Sequence, residues 1–201
     1  MINITNVTTN PFNPQNASQM DLDKDGLPVG YFSAEDIVAY RGLIAKVPDG
    51  GVAMEIGVYK GRSICAVAPL AKQRGIHMWA VDPWYANLGL DAMLYQFKNH
   101  LIYFSLNETV IPMRSPSHML APFFPSHSLD LIFLDGPHDY ENVKLDIQSW
   151  LPKVKPGGWI GGHDYEEKGD SWPGVKQATH EAFGDRSHAA RDGSTVWMHQ
   201  V

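Results

Sequence analysis

From residue 52 onward the sequence alternates short apolar runs with amphipathic stretches, and three of the five runs close on an acid. VAMEIG (52–57), IHMWAVD (76–82), TVIPMR (109–114), SLDLIFLD (128–135) and GGWIGGHD (157–164) have the length and composition of strands. Between them GRSICAVAPLAKQRG (61–75), GLDAMLYQFKNHLIYF (89–104), SPSHMLAPFF (115–124), YENVKLDIQSWLPKV (140–154) and GVKQATHEAF (174–183) read as helices, the third of them short. Such alternation specifies an α/β fold, a mostly parallel sheet with helices on both faces. Pro112 predicts an edge position for the third strand, because proline cannot donate to the ladder. The end, SHAARDGSTVWMHQV (187–201), reads as a hairpin turning on Asp192-Gly193, which adds antiparallel strands. Upstream, Ser33 is an N-cap with Asp36 in the capping-box place, opening a helix that Val47-Pro48-Asp49-Gly50 ends. Residues 1–32, rich in Asn, Thr and Pro, form an N-terminal arm, and residues 33–201 form one domain.

The bulk properties narrow the function classes. A chain of 201 residues suits a single core. Its net charge is −6 and no Lys/Arg cluster stands out, which argues against nucleic acid and against an anionic membrane surface. No apolar run approaches the roughly 20 residues of a span. MINITNVTTNPFNPQN lacks a basic head and an apolar middle, so it is not a signal peptide. The single cysteine, Cys65, excludes an intrachain disulfide and fits a reducing, cytoplasmic setting.

In open parallel sheets ligands bind beyond the carboxyl ends of the strands. Those ends are legible here. EIGVYKG (55–61) puts Gly57 at the first strand end and Gly61 at the start of the next helix. The Gly-x-Gly-x-x-Gly pyrophosphate fingerprint is absent, which disfavours a dinucleotide and suits a nucleoside without phosphates. The plainer alternative is a tight turn with Glu55 as a capping acid. AVDPW (80–84) places Asp82 where ribose hydroxyls are gripped, about twenty residues on. FLDGPHDY (133–140) and GGHDY (161–165) close two adjacent strands with Asp135, His138, His163 and Asp164.

These motifs resemble the class I S-adenosylmethionine-dependent methyltransferases. Within that class the chain is most similar to small-molecule O-methyltransferases related to macrocin O-methyltransferase and the cephalosporin-hydroxylase-like group. EIGVYKGRS, AVDPW and the block LDGPHDYENVKLDIQSWLPKVKPGGWIGGHDY carry the resemblance, over roughly residues 33–201. It implies a Rossmann-like, seven-stranded, mostly parallel sheet with an antiparallel C-terminal hairpin. It also implies S-adenosylmethionine as cofactor and a hydroxyl on a sugar, polyketide or phenol as acceptor. Glu55, Gly57 and Gly61 would lie at the methionine end, Asp82 at the ribose and Ser115 beside the adenine. Trp84 would cover the adenine or ribose, or is a partly buried loop aromatic. In metal-using relatives the ion sits at the positions of Asp135, His163 and Asp164. His163 departs from the usual oxygen ligands, so Mn, Fe or Zn suits that set at least as well as Mg. A metal-free polar pair is the alternative. His138, three residues past Asp135, stands where the catechol-type enzymes place the group that takes the hydroxyl proton. Its alternative role is a helix cap.

DLDKDGLPVGYF (21–32) begins like a calcium loop, but Phe32 holds the place of the bidentate glutamate, so it reads as an acidic turn. Trp84, Tyr85 and Trp172 are expected to wall the acceptor pocket from loops 83–92 and 165–173. The arm is expected to fold over that pocket or onto a second subunit of a homo-oligomer. Three rival functions stand beside the first: a metal-independent methyltransferase on the same fold, a module that binds the cofactor without methyl transfer, and a nicotinamide-dependent reductase. The missing dinucleotide glycines count against the last.

Overall fold

Every helix and strand expected between residues 33 and 183 forms, in the expected order. The computed structural model describes residues 20–85, 89–165, 172–184, 188–189 and 193–201. The elements are α1 (Ala34–Lys46), β1 (Val52–Ile56), α2 (Arg62–Gln73), β2 (His77–Asp82), α3 (Asp91–Tyr103), β3 (Val110–Arg114), α4 (Ser117–Leu120), β4 (Leu129–Leu134), α5 (Tyr140–Trp150), β5 (Val154–Gly162), α6 (Pro173–Phe183), β6 (His188–Ala189) and β7 (Trp197–Gln200). Of the expected arm, residues 1–19 fall outside the described residues, as do Asp192 and parts of the two pocket loops.

The sheet order is β3-β2-β1-β4-β5-β7-β6. β1 to β5 run parallel, and β7 lies antiparallel to β5. The far edge is only the two-residue β6, paired with β7. β3 pairs with β2 alone and is the opposite edge, as Pro112 requires. β4 (LDLIFL) is buried throughout, because helices cover both faces of the central strands. Two boundaries differ from the sequence reading. Pro152 stops α5 in a 3₁₀ turn, so Val154 already pairs with Leu129 and β5 starts earlier than expected. β6 and β7 pair antiparallel, as the expected hairpin requires.

Two apolar layers sandwich the sheet. Tyr40, Leu43 and Ile44 of α1 pack with Ile64 and Val67 of α2 on one face. Val143, Ile147 and Trp150 of α5 pack with Val175 and Phe183 of α6 on the other. At the amino ends of the strands Asp130 joins three of them. It accepts from the Val52 amide at 2.8 Å and from Lys155 Nζ at 2.8 Å.

Ser33 and Asp36 form the expected capping box: the Ser33 hydroxyl accepts from the Asp36 amide at 3.1 Å, and Asp36 accepts from the Ser33 amide at 3.0 Å. Asp36 also does something the capping box does not require. Its other oxygen accepts from the Ser194 hydroxyl at 2.8 Å and the Thr195 amide at 2.9 Å, tying α1 to the segment before β7. The same carboxylate faces His163, just past β5, at 3.2 Å. Burial works to raise the Asp36 pKa, but the nearby His163 and the bonds from Ser33 outweigh it and hold the carboxyl well below the usual range.

Asp36→Ala is expected to lower unfolding free energy by about 3–5 kcal/mol, because it strands a buried charge as well as removing a cap. Glu35→Ala, exposed in the same first turn, should stay within about 0.5 kcal/mol. Urea unfolding of both variants checks this.

Candidate active site

The order β2-β1-β4 puts the topological switch between β1 and β4, whose ends carry Gly57 and Asp135. A cavity of about 660 Å³ opens there, within the range of small-ligand sites. Gly57, Asp82, Ser115, Asp135, His138, His163 and Asp164 all line it. The strand ends singled out from the sequence therefore converge on one cavity.

Gly57 is needed where it stands. It has φ +85°, and a Cβ there would come within 1.9 Å of the Asp135 carbonyl oxygen. Asp82 holds the turn that follows: Oδ2 accepts from the Val58 and Tyr59 amides at 2.9 Å, and Oδ1 from the Trp84 amide at 2.8 Å. Two carboxylate oxygens offer about four lone-pair directions, so part of the capacity of Asp82 remains toward the cavity. Ser115 lies beside it, its amide donating to the Asp82 carbonyl at 3.2 Å.

Three residues expected at the cofactor do not line the cavity. Trp84 is buried, stacks on Phe97 at 5.7 Å and donates its indole N–H to the Tyr59 carbonyl at 2.9 Å. Tyr85, the next residue, lines the cavity in its place. Gly61 also serves packing, since a Cβ there would meet the Phe97 ring at 2.3 Å. Glu55 lies behind the wall, fully buried, accepting from the Ser63 hydroxyl at 2.5 Å. Burial pushes its pKa up to about 8, against the pull of Ser63 and with a further push from the Asp135 charge.

The imidazoles and carboxylates at the ends of β4 and β5 form one cluster. His163 Nδ1 lies 3.2 Å from Asp164 Oδ2 and 3.5 Å from Asp135 Oδ1. Its Nε2 lies 3.2 Å from Asp36 Oδ2, off the hydrogen-bond direction. Burial alone would lower the His163 pKa; the carboxylates of Asp135, Asp164 and Asp36 outweigh it and push it up to about 12. His163 Nδ1 thus lies between Asp135 and Asp164, the two carboxylates grouped with it in the sequence. Burial raises the Asp135 carboxyl, against the pull of His163. His138 Nδ1 is 3.2 Å from the same Asp164 Oδ2, so one carboxylate oxygen faces two imidazoles. Among the described residues, Asp135, His138 and Asp164 are the set whose donor atoms all lie within 4.8 Å of one another. Asp139, not His138, caps α5, accepting from the Asn142 amide at 3.1 Å.

The sequence reading missed Asp146 and saw Asp36 only as a capping acid, yet the fold turns both inward. Asp36 and Asp146 both sit on the apolar stripes of their helices. In α1 the buried positions are 36, 39, 40, 43 and 44; in α5 they are 143, 146, 147 and 150. An acid at core spacing was the available signal. Asp146 lines the cavity and accepts from the Ser117 hydroxyl, and burial pushes its pKa up to about 6.

Residues 54–165 match the family model described as a methyltransferase domain, which is more than half of the chain. The chain belongs to the methyltransferase-domain family. S-adenosylmethionine is the methyl donor that goes with this family, and the cavity lies at the switch point, where open parallel sheets bind ligands. Solved structures share the fold at low identity. The O-methyltransferase NovP is 18% identical, with 86% of this chain and 83% of that one covered at a TM-score of 0.63. CalS11, a TDP-rhamnose 3'-O-methyltransferase of calicheamicin biosynthesis, is 18% identical, with 84% and 81% covered at 0.58. A candidate caffeoyl-CoA O-methyltransferase from Staphylococcus aureus is 14% identical, with 87% and 85% covered at 0.65. Protein y4gI of Sinorhizobium fredii (strain NBRC 101917 / NGR234), itself uncharacterized, is 44% identical over 39 residues, 19% of this chain and 4% of that protein. The matched segment thus spans a small fraction of that relative's length. No described helix is long and apolar enough to cross a membrane.

Glu55 gives the enzyme a testable pH signature. Its folded pKa, about 8, lies above the ordinary 4.5, so its stabilising contribution is complete below pH 4.5 and is lost as pH rises through 8. Glu55→Gln cannot ionise and escapes that loss. Between pH 5 and pH 9 the variant's Tm should gain about 3 °C or more on the wild type. Parallel melting curves would mean that Glu55 is not held protonated.

Proposed function

We propose that this chain transfers the methyl group of S-adenosylmethionine to a hydroxyl on a small molecule. The observation that carries the reading is the contact between His138 and Asp164 in the cavity that also holds Gly57, Asp82 and Ser115. A base oriented by a carboxylate is the remaining requirement for O-methylation once the donor is bound. The named activities of NovP, CalS11 and the Staphylococcus aureus protein support oxygen as the acceptor atom.

The sulfonium carbon needs a nucleophile in line at short range, and positioning accounts for much of such a rate. Gly57 lets the donor approach the backbone and Asp82 accepts from the ribose hydroxyls. Asp164 holds Nδ1 of His138, which leaves Nε2 to take the proton of the acceptor hydroxyl as the O–CH₃ bond forms. S-adenosylhomocysteine leaves with the electron pair of the broken S–CH₃ bond. His163, paired with Asp135 and Asp164, keeps the second strand end from carrying unbalanced negative charge.

A second reading has its own observation, the closeness of Asp135, His138 and Asp164. One imidazole and two carboxylates fit a divalent cation, with Mn, Fe or Zn ahead of Mg. Bound there, it would lower the pKa of the acceptor hydroxyl as a Lewis acid, and His138 would be a ligand rather than the base.

Asp82→Ala should weaken S-adenosylhomocysteine binding at least about tenfold in calorimetry, the worth of one charge-assisted hydrogen bond. Unchanged affinity would remove Asp82 from the cofactor site. His138→Ala should cut S-adenosylhomocysteine formation about 10²-fold or more while cofactor affinity holds. Repeating the wild-type assay after exhaustive EDTA treatment separates the two readings: retained activity supports the free base, and loss restored by Mn²⁺ supports the cation.

A further inference from the structure

The described part of the arm, residues 20–32, is a built wall of the cavity. Arg62 of α2 anchors it: its guanidinium donates to the Asp23 carboxylate, to the Phe32 carbonyl at 2.7 Å and to the Pro28 carbonyl at 3.1 Å. Lys60 adds an ion pair to Asp21 at 2.5 Å. Leu22 bridges Pro28, and the Asp23 Oδ1 accepts from the Asp25 and Leu27 amides at 2.9 and 3.1 Å. These bonds engage the carboxylates of Asp21 and Asp23, two of the acids that mimic a calcium loop. They deliver Gly30, Tyr31 and Phe32 to the cavity.

Rings from this segment lead directly to the proposed base. Phe32 lies 4.5 Å from the His163 ring, His163 and His138 meet on Asp164, and His138 lies 4.7 Å from the Trp172 ring. Tyr31 is 91% exposed, yet it lines the cavity and sits 6.2 Å from the Tyr59 ring. A tyrosine that open on a pinned segment gains nothing for the fold. Tyr59, Tyr85 and Trp172 line the same cavity, each only partly covered. The charged groups nearest this wall are already engaged, Arg62 on the arm and Asp135 and Asp164 on imidazoles. A flat ring carrying one or two hydroxyls suits a wall built from aromatic rings better than a sugar does.

Resting on the methyl-transfer reading of the cavity, we propose that Tyr31 and Trp172 form the acceptor-binding wall and take a neutral phenolic ring whose hydroxyl meets His138. Tyr31 is then a specificity-determining residue outside the donor site.

The test uses the full chain saturated with S-adenosylhomocysteine and two probes, catechol and methyl glucoside, titrated in a calorimeter. Catechol is expected to bind more tightly than methyl glucoside. Tyr31→Ala should weaken catechol about tenfold, Tyr31→Phe should restore it, and S-adenosylhomocysteine affinity should not change in either variant. Catechol affinity that ignores Tyr31→Ala, absent catechol binding, or tighter binding of methyl glucoside would each overturn the proposal. Incubation with S-adenosylmethionine and catechol then tests the underlying reading separately. Tyr31-dependent binding without S-adenosylhomocysteine formation would remove methyl transfer and leave the phenol-binding wall standing.

Discussion

The imidazole of His163 touches three carboxylates, and those contacts hold the cavity's floor together. Asp36 brings α1, Asp135 brings the end of β4, and Asp164 brings the chain just beyond β5. Asp36 adds the segment before β7 through Ser194 and Thr195. Desolvating four ionisable groups is expensive, and a hydrophobic replacement of similar volume could match the stability. It could not orient Asp164 toward His138. The cluster is therefore better understood as a device for placing two side chains than as a source of net stability.

The neighbouring acid behaves in the opposite way. Glu55 takes its hydrogen bonds from hydroxyls, Ser63 foremost, rather than from a cation, so burial keeps it protonated near neutrality. Ionising it would put a second charge close to Asp135, which already raises its pKa. Burial raises both carboxyls near the β1 and β4 ends, and the bond to His163 pulls back on Asp135.

Much of this architecture was legible beforehand, for definite reasons. The order of elements follows from the alternation of patterns, because a parallel strand needs a crossover long enough to be a helix. Pro112 marked an edge because it lacks a donor, and Asp135, His138, His163 and Asp164 met in one cavity because all follow strand ends of one parallel sheet. Trp84 and Gly61 stand off the cavity for a common reason: Phe97 of α3 packs against both, and nothing local to either position reveals it. Asp36 and Asp146 were visible as acids at core spacing, though their partners lie far along the chain.

By itself, then, the sequence determined the fold class, the strand ends, the Gly57 turn and the family, since each depends on local pattern or backbone geometry. Tertiary structure decided which carboxylates each imidazole meets. His163 meets Asp36 across more than a hundred residues, and His138 meets Asp164 only because β4 and β5 are neighbours. Protonation is set by what surrounds a group in space, and spacing along the chain carries no record of that.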